Sequence, residues 1–137
     1  MIIAVDFDGT IVEHRYPSIG REKPGAIDTL KQLAKEGNRL ILWTVREGEL
    51  LDEAVAFCRV RGLDFFAVNS NVPQNDLFLP SAKSIRGKVS ADVYIDDRNL
   101  GGLPDWDTIY EMITGLRQEK RNKNSRRRGF FSRLFGK

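Results

Sequence analysis

Residues 1–10 read Met1-Ile2-Ile3-Ala4-Val5-Asp6-Phe7-Asp8-Gly9-Thr10. The apolar run before Asp6 is typical of a strand buried on both faces, as in a parallel sheet. Gly9 marks the end of the extended segment, because glycine adopts backbone angles that are closed to other residues. Asp6 and Asp8 are two positions apart, so in an extended chain their side chains share one face. They follow the carboxyl end of the strand, where open α/β sheets bind their ligands.

The two aspartates predict a divalent cation. Carboxylates held this close repel each other unless one is protonated or a cation lies between them. A hard ion that prefers oxygen ligands, most simply Mg²⁺, meets that requirement. The alternative is that Asp8-Gly9 forms only a turn after the strand, which is the better explanation for an isolated Asp-Gly pair.

The composition indicates one globular domain without disulfides. The chain has 137 residues, of which 41% are hydrophobic and 30% charged, as is ordinary for such a domain. Cys58 is the single cysteine, and its helical spacing from Ala54 predicts a core position. His14 is the single histidine, which excludes a histidine-rich metal site. The opening apolar run is too short for a signal peptide, and no stretch could span a membrane, so we expect a cytoplasmic protein.

Charge is unevenly distributed along the chain. The net charge of +3 combines −5 over residues 1–116 with +8 over residues 117–137, where nine lysines and arginines accompany one acid. We therefore expect a mildly acidic domain at 1–116 and a basic, flexible C-terminal tail at 117–137. Residues 126–135 combine arginines with four large apolar residues, so as a helix they could contact an anionic membrane surface, an acidic partner or nucleic acid. The alternative is a solvated tail without a partner.

Apolar periodicity and turn residues predict strands that alternate with helices. We expect strands at 2–5, 40–43, 65–68 and 93–95, and helices from Pro24 to about 36, from 49 to 61, and after an N-cap at Asp105. Residues 69–88 show no clear period and are expected to form mainly an irregular loop. The alternation predicts βαβ units. The expected fold is therefore α/β, three-layered and Rossmann-like, with a mostly parallel sheet of four to five strands.

Polar residues directly follow three of the predicted strands. Asp6 and Asp8 follow the first, Thr44 the second, and Asp96 with Asp97 the fourth. Parallel strands bring their carboxyl ends to one edge of the sheet, where α/β folds bind ligands. Four carboxylates gathered there without a cation would destabilise the fold, so a purely structural role for the whole set is a weak explanation.

These stretches resemble the motifs of the haloacid dehalogenase (HAD) superfamily of phosphohydrolases. The first motif is similar to Asp6-Phe7-Asp8-Gly9-Thr10, the second to Leu40-Ile41-Leu42-Trp43-Thr44, and the fourth to Tyr94-Ile95-Asp96-Asp97. The third motif is a lysine shortly before the fourth strand, for which Lys88 fits best and Lys83 is the alternative. The resemblance covers roughly residues 1–100.

The resemblance implies phosphate ester hydrolysis through an aspartyl-phosphate. Asp6 would be the nucleophile. Asp8 would first be the acid that protonates the leaving alcohol and then the base that activates water. Lys88 would neutralise the phosphoryl group as charge shifts, and the alternative for it is a solvated loop lysine.

The resemblance also implies where Mg²⁺ and phosphate bind. The Asp6 side chain, the Asp8 main-chain carbonyl and Asp96 would hold the ion, with Asp97 acting directly or through water. Thr44 would donate a hydrogen bond to a phosphate oxygen.

Four basic residues near these motifs are candidates for substrate contact at the rim of the site. Arg46 lies two positions after Thr44, and Arg98 follows the acid pair. His14 and Arg15 lie in the segment after the first strand, which we expect to form a loop or short flap. Exposed basic residues are common, so surface charge is the alternative for each of them.

The chain leaves no room for the cap domain by which HAD enzymes usually select substrates. A capless site is open, so either the substrate is large or a neighbouring subunit of a homo-oligomer covers it. We expect a small phosphorylated metabolite such as a sugar phosphate. The alternatives are a phosphatase that acts on a macromolecule and a non-catalytic module that binds Mg²⁺ or phosphate. A receiver-type signalling domain fits less well, because it carries its acid pair at the first strand and its phosphorylated aspartate at the third.

Overall fold

The structure is a computed structural model that describes residues 1–73 and 89–135. Its elements, in chain order, are β1 (Ile2–Val5), α1 (Ala26–Lys35), β2 (Arg39–Leu42), α2 (Gly48–Val60), β3 (Ala67–Val68), β4 (Val93–Ile95) and α3 (Trp106–Phe135). Most of the predicted loop at 69–88 lies outside the described residues.

The strands form one all-parallel sheet in the order β3-β2-β1-β4. Val5, the last residue of β1, lies opposite Leu42 of β2 and Ile95 of β4, so these three strands end level with one another. The predicted α/β class and parallel sheet are confirmed, and the arrangement is compatible with a three-layer Rossmann-like fold. Neither a fifth strand nor an inserted cap domain occurs among the described residues.

Both faces of the central strand β1 are buried, which explains its unbroken apolar sequence. Ile3 and Val5 belong to the larger core cluster, together with apolar residues of α1, α2 and α3. Ala4 lies on the opposite face with Ile41 and Val89. Complete burial of a valine or isoleucine side chain contributes about 1.5–3 kcal/mol. The carboxyl end of β1 is thus a rigid place from which to present side chains.

The predicted N-cap at Asp105 and the predicted core position of Cys58 are confirmed, and the start of another helix is corrected. Asp105 caps α3, because its Oδ1 accepts a hydrogen bond of 2.8 Å from the main-chain N–H of Thr108. Cys58 is fully buried in the core, and that burial raises the pKa of its thiol to about 12. The helix predicted from Pro24 begins instead at Ala26. Gly25, with a left-handed φ of 78°, is its N-cap, so Pro24 lies outside the helix.

α3 runs without a break from Trp106 to Phe135. The predicted flexible tail at 117–137 is therefore helical as far as Phe135, and residue 116 is not a boundary of secondary structure. Residues 117–128 are rich in Arg, Lys, Gln and Glu, which favour helix, so the helix propagates beyond Ile113, the last buried side chain that the structure describes. Among the described residues, no helix has both the length and the apolar character needed to cross a bilayer.

Candidate active site

A tight turn after β1 places the two aspartates. The Phe7 carbonyl accepts hydrogen bonds from three successive main-chain N–H groups, those of Thr10 (3.2 Å), Ile11 (3.0 Å) and Val12 (3.3 Å). The chain then folds back on itself, since Val12 and Glu22 form an antiparallel bridge. We call residues 12–22 the flap. The loop or short flap predicted for this segment is thus present beside the end of β1.

Gly9 is required at this turn for two reasons. Its φ of 84° lies in the left-handed region, which glycine adopts at little cost. In addition, a Cβ atom at this position would lie 2.2 Å from Oδ2 of Asp97. The missing side chain therefore allows the Asp97 carboxylate to approach the turn that follows β1.

Three carboxylates converge at the ends of β1 and β4. One carboxylate oxygen from each of Asp6, Asp96 and Asp97 lies within 4.8 Å of the other two. Thr10 connects the two strand ends, because its hydroxyl donates to Asp6 Oδ2 (3.0 Å) and accepts from the main-chain N–H of Asp97 (3.0 Å). We call Asp6, Asp96 and Asp97 the acidic cluster. It contains three of the four predicted metal ligands.

The carboxylates of the acidic cluster raise the cost of ionising one another. Burial, opposed by the hydrogen bond from Thr10 and reinforced by the charge of Asp96, raises the pKa of Asp6 from 3.8 to about 7. A cation among these carboxylates would remove the energetic cost of ionising Asp6. The side-chain ligand atoms of the cluster are all carboxylate oxygens, which a hard ion prefers. The residues present therefore fit the predicted Mg²⁺.

The Asp8 side chain is directed away from the acidic cluster and toward Arg46. Arg46 Nε donates to Asp8 Oδ2 and Nη2 donates to Asp8 Oδ1, each at 2.7 Å. Such a two-pronged pair is the strongest form of side-chain ion pair. Both carboxylate oxygens of Asp8 are engaged, so its side chain is not a member of the metal site. Its main-chain carbonyl, the atom that the resemblance implied, stays a predicted ligand.

Arg46 is fully buried, which overturns its prediction as a substrate-binding residue. Beyond Asp8, its guanidinium donates to the main-chain carbonyls of Pro17 (3.1 Å) and Ser18 (3.0 Å) in the flap. It also lies over the rings of Phe7 and Tyr16, at 5.2 Å from each centroid. Arg46 has no accessible surface, so it cannot meet a substrate. Its contacts join the end of β1 to the flap.

Thr44 lies at the carboxyl end of β2, where it was predicted. Its main-chain N–H donates to Asn69 Oδ1 (2.8 Å), and its hydroxyl accepts from the main-chain N–H of Arg46 (3.2 Å). These two contacts fix the residue and leave the hydroxyl hydrogen available to an acceptor in the cleft. Asn69 holds a left-handed φ of 50°, a conformation that asparagine tolerates better than most residues.

An open cleft of about 300 Å³ lies over these groups. Its polar lining includes Asp6, Asp8, Thr44, Asp96, His14 and Arg98, and its apolar lining consists of Tyr16, Trp43 and Val45. Arg98 and His14 are thus at the cleft, as predicted for rim residues. Arg15 is exposed on the flap and is not part of the lining. Lys88 and Lys83 lie outside the described residues, so the position of the third-motif lysine stays a prediction.

Comparison with known proteins gives a relative but no activity. Neither the protein-family models nor the curated proteins contain a match to this chain. A solved structure of a conserved protein from Bacteroides thetaiotaomicron is 60% identical and covers 84% of this chain and 90% of its own, with a TM-score of 0.74. The chain belongs to the family of that conserved protein. The name of that protein specifies neither a substrate nor a reaction.

Three residues near the site have roles that the sequence did not predict. Thr10 orients Asp6, Asn69 holds the backbone of Thr44, and Arg46 holds Asp8. One of them carried a usable signal, because Asn69 directly follows the third predicted strand, just as Thr44 follows the second. The partner of Arg46 lies 38 positions away in the chain, and no local pattern specifies that distance.

Proposed function

We propose that this protein is a Mg²⁺-dependent phosphomonoester hydrolase that acts through an aspartyl-phosphate. The observation that carries the proposal is that the side chains of the two aspartates of the first motif lie in different environments. Asp6 lies in the acidic cluster, at the base of an open cleft. Asp8 lines the same cleft but is kept out of the acidic cluster by its pair with Arg46. A metal-assisted nucleophile beside a separate proton-transfer group is the arrangement that this reaction needs.

Asp6 is the proposed nucleophile. Thr10 fixes one of its oxygens: the Thr10 hydroxyl accepts from the Asp97 main-chain N–H, so it directs its hydrogen to Asp6 Oδ2. Oδ1 is then the oxygen available for attack on phosphorus. The acidic cluster would hold Mg²⁺, which when bound would screen the charge between the carboxylate and an anionic phosphate ester.

The reaction proceeds in two displacements. In the first, Asp6 Oδ1 forms a bond to phosphorus while the bond to the leaving alcohol breaks and the alcohol oxygen takes a proton from Asp8. In the second, water attacks phosphorus and gives its proton to Asp8. The phosphorus–oxygen bond to Asp6 breaks, which restores the carboxylate and releases inorganic phosphate.

The Arg46 pair suits Asp8 to the second displacement more directly than to the first. As a carboxylate held in a fixed orientation, Asp8 is ready to accept a proton from water. For the first displacement, Asp8 must be protonated on an oxygen that faces the cleft while its carboxyl group stays hydrogen-bonded to Arg46. The first displacement of a leaving group that needs no proton should therefore depend little on Asp8, whereas the second displacement needs Asp8 for every ester.

The cleft favours a small phosphate ester. Its volume of about 300 Å³ is at the lower end for ligand sites. Thr44 can donate to the phosphate, and Arg98 and His14 can meet further oxygens at the rim. Tyr16 and Trp43 offer flat apolar surface to a ring such as that of a sugar phosphate. A small cytoplasmic metabolite is the proposed substrate, and a macromolecular phosphate end is the alternative that an open cleft admits.

The test is phosphate and alcohol release from para-nitrophenyl phosphate, followed by a panel of natural phosphate esters. We expect turnover with Mg²⁺, none with chelator, and none for Asp6→Asn. Asp64→Asn is the matched control, because Asp64 is exposed and its ion pair with Arg59 lies on the surface. Metal binding without turnover of any ester would support the non-catalytic module instead. Stable phosphate on Asp6 without release would indicate a receiver-like domain.

A further inference from the structure

The end of α3 extends beyond the body of the protein. Trp106, at its start, donates from Nε1 to the Thr10 carbonyl (3.2 Å), close to the active site. Further along, Lys120 pairs with Asp92, the residue that precedes β4 and accepts from the N–H of Ile2 (2.8 Å). α3 therefore runs from the carboxyl edge of the sheet to its amino edge. Residues 121–135 continue for about 22 Å at 1.5 Å per residue.

This projecting part of α3 carries large apolar side chains in contact with solvent. Phe130, Phe131 and Leu134 are 61%, 51% and 57% exposed. At about 100° per residue, Leu134 lies about 40° from Phe130 around the helix axis, and Phe131 about 100° from it. The three side chains thus form one stripe over the last two turns, which we call the apolar stripe. Exposed aromatic residues grouped in this way indicate an interaction surface.

Arginines border the apolar stripe on both sides. By the same rotation, Arg126 and Arg133 lie on one flank and Arg128 on the other, while Arg127 lies on the stripe's own side, one turn nearer the body. Arginine can lay its aliphatic stem along apolar surface while its charged end reaches outward. A narrow apolar stripe with basic flanks is the pattern of a helix that lies in the interface of a membrane.

Charge selects the kind of surface that this helix fits. Residues 117–137 carry a net charge of +8, and the rest of the chain carries −5. A second copy of α3 would bring two such basic segments together, which is unfavourable. The phosphates of nucleic acid would pair with the arginines, but they are bound through charge and would leave the three apolar side chains in water. An anionic bilayer satisfies both the arginines and the apolar stripe.

We propose that residues 126–134 bind the surface of an anionic phospholipid bilayer. The apolar stripe would enter the boundary between headgroups and acyl chains, and the flanking arginines would meet lipid phosphates. Because α3 is unbroken and runs from the carboxyl edge of the sheet to its amino edge, a helix end lying in the plane of the bilayer would set the strands roughly parallel to the membrane surface. The cleft would then open sideways, at the end of the body farthest from residues 126–134.

The test is co-sedimentation of the full chain with vesicles. We expect binding to vesicles of phosphatidylglycerol and phosphatidylcholine, and little binding to phosphatidylcholine alone. Raising the salt from about 0.05 M to about 0.5 M should release the protein, since screening shortens the reach of the charges. Each arginine near the surface should contribute about five-fold, so Arg126→Gln with Arg133→Gln should weaken binding by about twenty-five-fold.

A second double variant isolates the apolar contribution. Phe130→Ala with Leu134→Ala keeps every charge and should weaken binding to the anionic vesicles by ten-fold or more, because two large side chains no longer enter the interface. Its matched control is Val60→Ala with Leu100→Ala, two residues that are 83% and 106% exposed outside α3 and should not affect binding. Unchanged thermal unfolding of both proteins would show that they are folded.

Several results would overturn the proposal. Equal binding to neutral and anionic vesicles would remove the role of the arginines, and full binding by the Phe130/Leu134 variant would reduce the interaction to charge alone. Pelleting or dimerisation without vesicles would assign the surface to a second copy. Tighter binding to duplex DNA than to vesicles, unaffected by loss of the apolar stripe, would assign it to nucleic acid.

Discussion

Replacing Arg46 by alanine should destabilise the whole domain, although the residue lies in a loop after β2. The change removes the guanidinium that neutralises Asp8, whose side chain is only 9% exposed. It also removes the donors to the Pro17 and Ser18 carbonyls, which hold the flap against the body. A buried carboxylate would remain without a partner, and the flap would lose its anchor.

The magnitude follows from these contacts. Removing one partner of a buried ion pair costs about 3–5 kcal/mol. The two flap carbonyls add little, because they can turn to water once the flap is free. We therefore expect the free energy of unfolding to fall by about 4 kcal/mol. For a domain of this size, that corresponds to a decrease of about 15 °C in the melting temperature.

The assay is urea unfolding at neutral pH, with the slope compared between proteins to establish that only stability has changed. The matched control is Arg59→Ala, which breaks an exposed arginine–aspartate pair with Asp64 and should cost less than about 1 kcal/mol. A double variant, Arg46→Met with Asp8→Asn, should recover part of the loss, since no unpaired charge is left inside.

The reasoning is refuted if Arg46→Ala is as mild as Arg59→Ala. That result would mean that Asp8 and the flap find other partners without cost, and that the buried pair does not join the flap to β1. A double variant less stable than Arg46→Ala would likewise contradict the view that the unpaired Asp8 charge causes the loss.

Three further predictions concern the acidic cluster and the chemistry. The raised pKa of Asp6 means that the folded state binds more protons than the unfolded state between pH 3.8 and about 7. For a fully buried group that window would correspond to about 4 kcal/mol. Because Asp6 is only partly buried and solvent screens its charge, we expect the metal-free protein to lose about 2 kcal/mol of stability as pH rises through the window. Asp6→Asn should abolish this slope in thermal unfolding, and a wild-type profile as flat as the variant's would contradict the assignment. Gly9→Ala should lower stability by about 1–3 kcal/mol and weaken Mg²⁺ binding measured by calorimetry, because its Cβ would displace Asp97. Gly101→Ala has a similar φ of 90° but no neighbour within 4 Å, so it should lose stability without losing Mg²⁺ affinity. Asp8→Asn should slow the first displacement, measured as the burst of released alcohol, by about 10²–10⁴ for a sugar phosphate but much less for para-nitrophenyl phosphate, and equal slowing of that step would exclude Asp8 as the acid.

The sequence alone was sufficient for the framework of the fold. The apolar run before Asp6 predicted a strand buried on both faces, because only a strand covered on both sides is apolar at every position. Asp105 predicted the start of α3, because its capping bond reaches only to Thr108. The acidic cluster was predictable as well, because parallel strands place their carboxyl ends at one edge of the sheet whatever the details of packing. Element boundaries were less secure. β3, predicted at 65–68, is limited to Ala67–Val68, and β2 is the strand with which it pairs among the residues that the structure describes.

The tertiary structure decided what each polar side chain near that edge does. Arg46 lies two residues from Thr44 and was predicted to meet substrate, yet packing buries it against Asp8 and the flap. Asp8 was predicted as a metal ligand, yet its carboxylate pairs with Arg46 and lies outside the acidic cluster. Local sequence sets backbone conformation and strand direction, because those depend on neighbours in the chain. Burial and ion pairing depend on which distant segments meet, and for Asp8 and Arg46, 38 positions apart, only the folded chain brings them together.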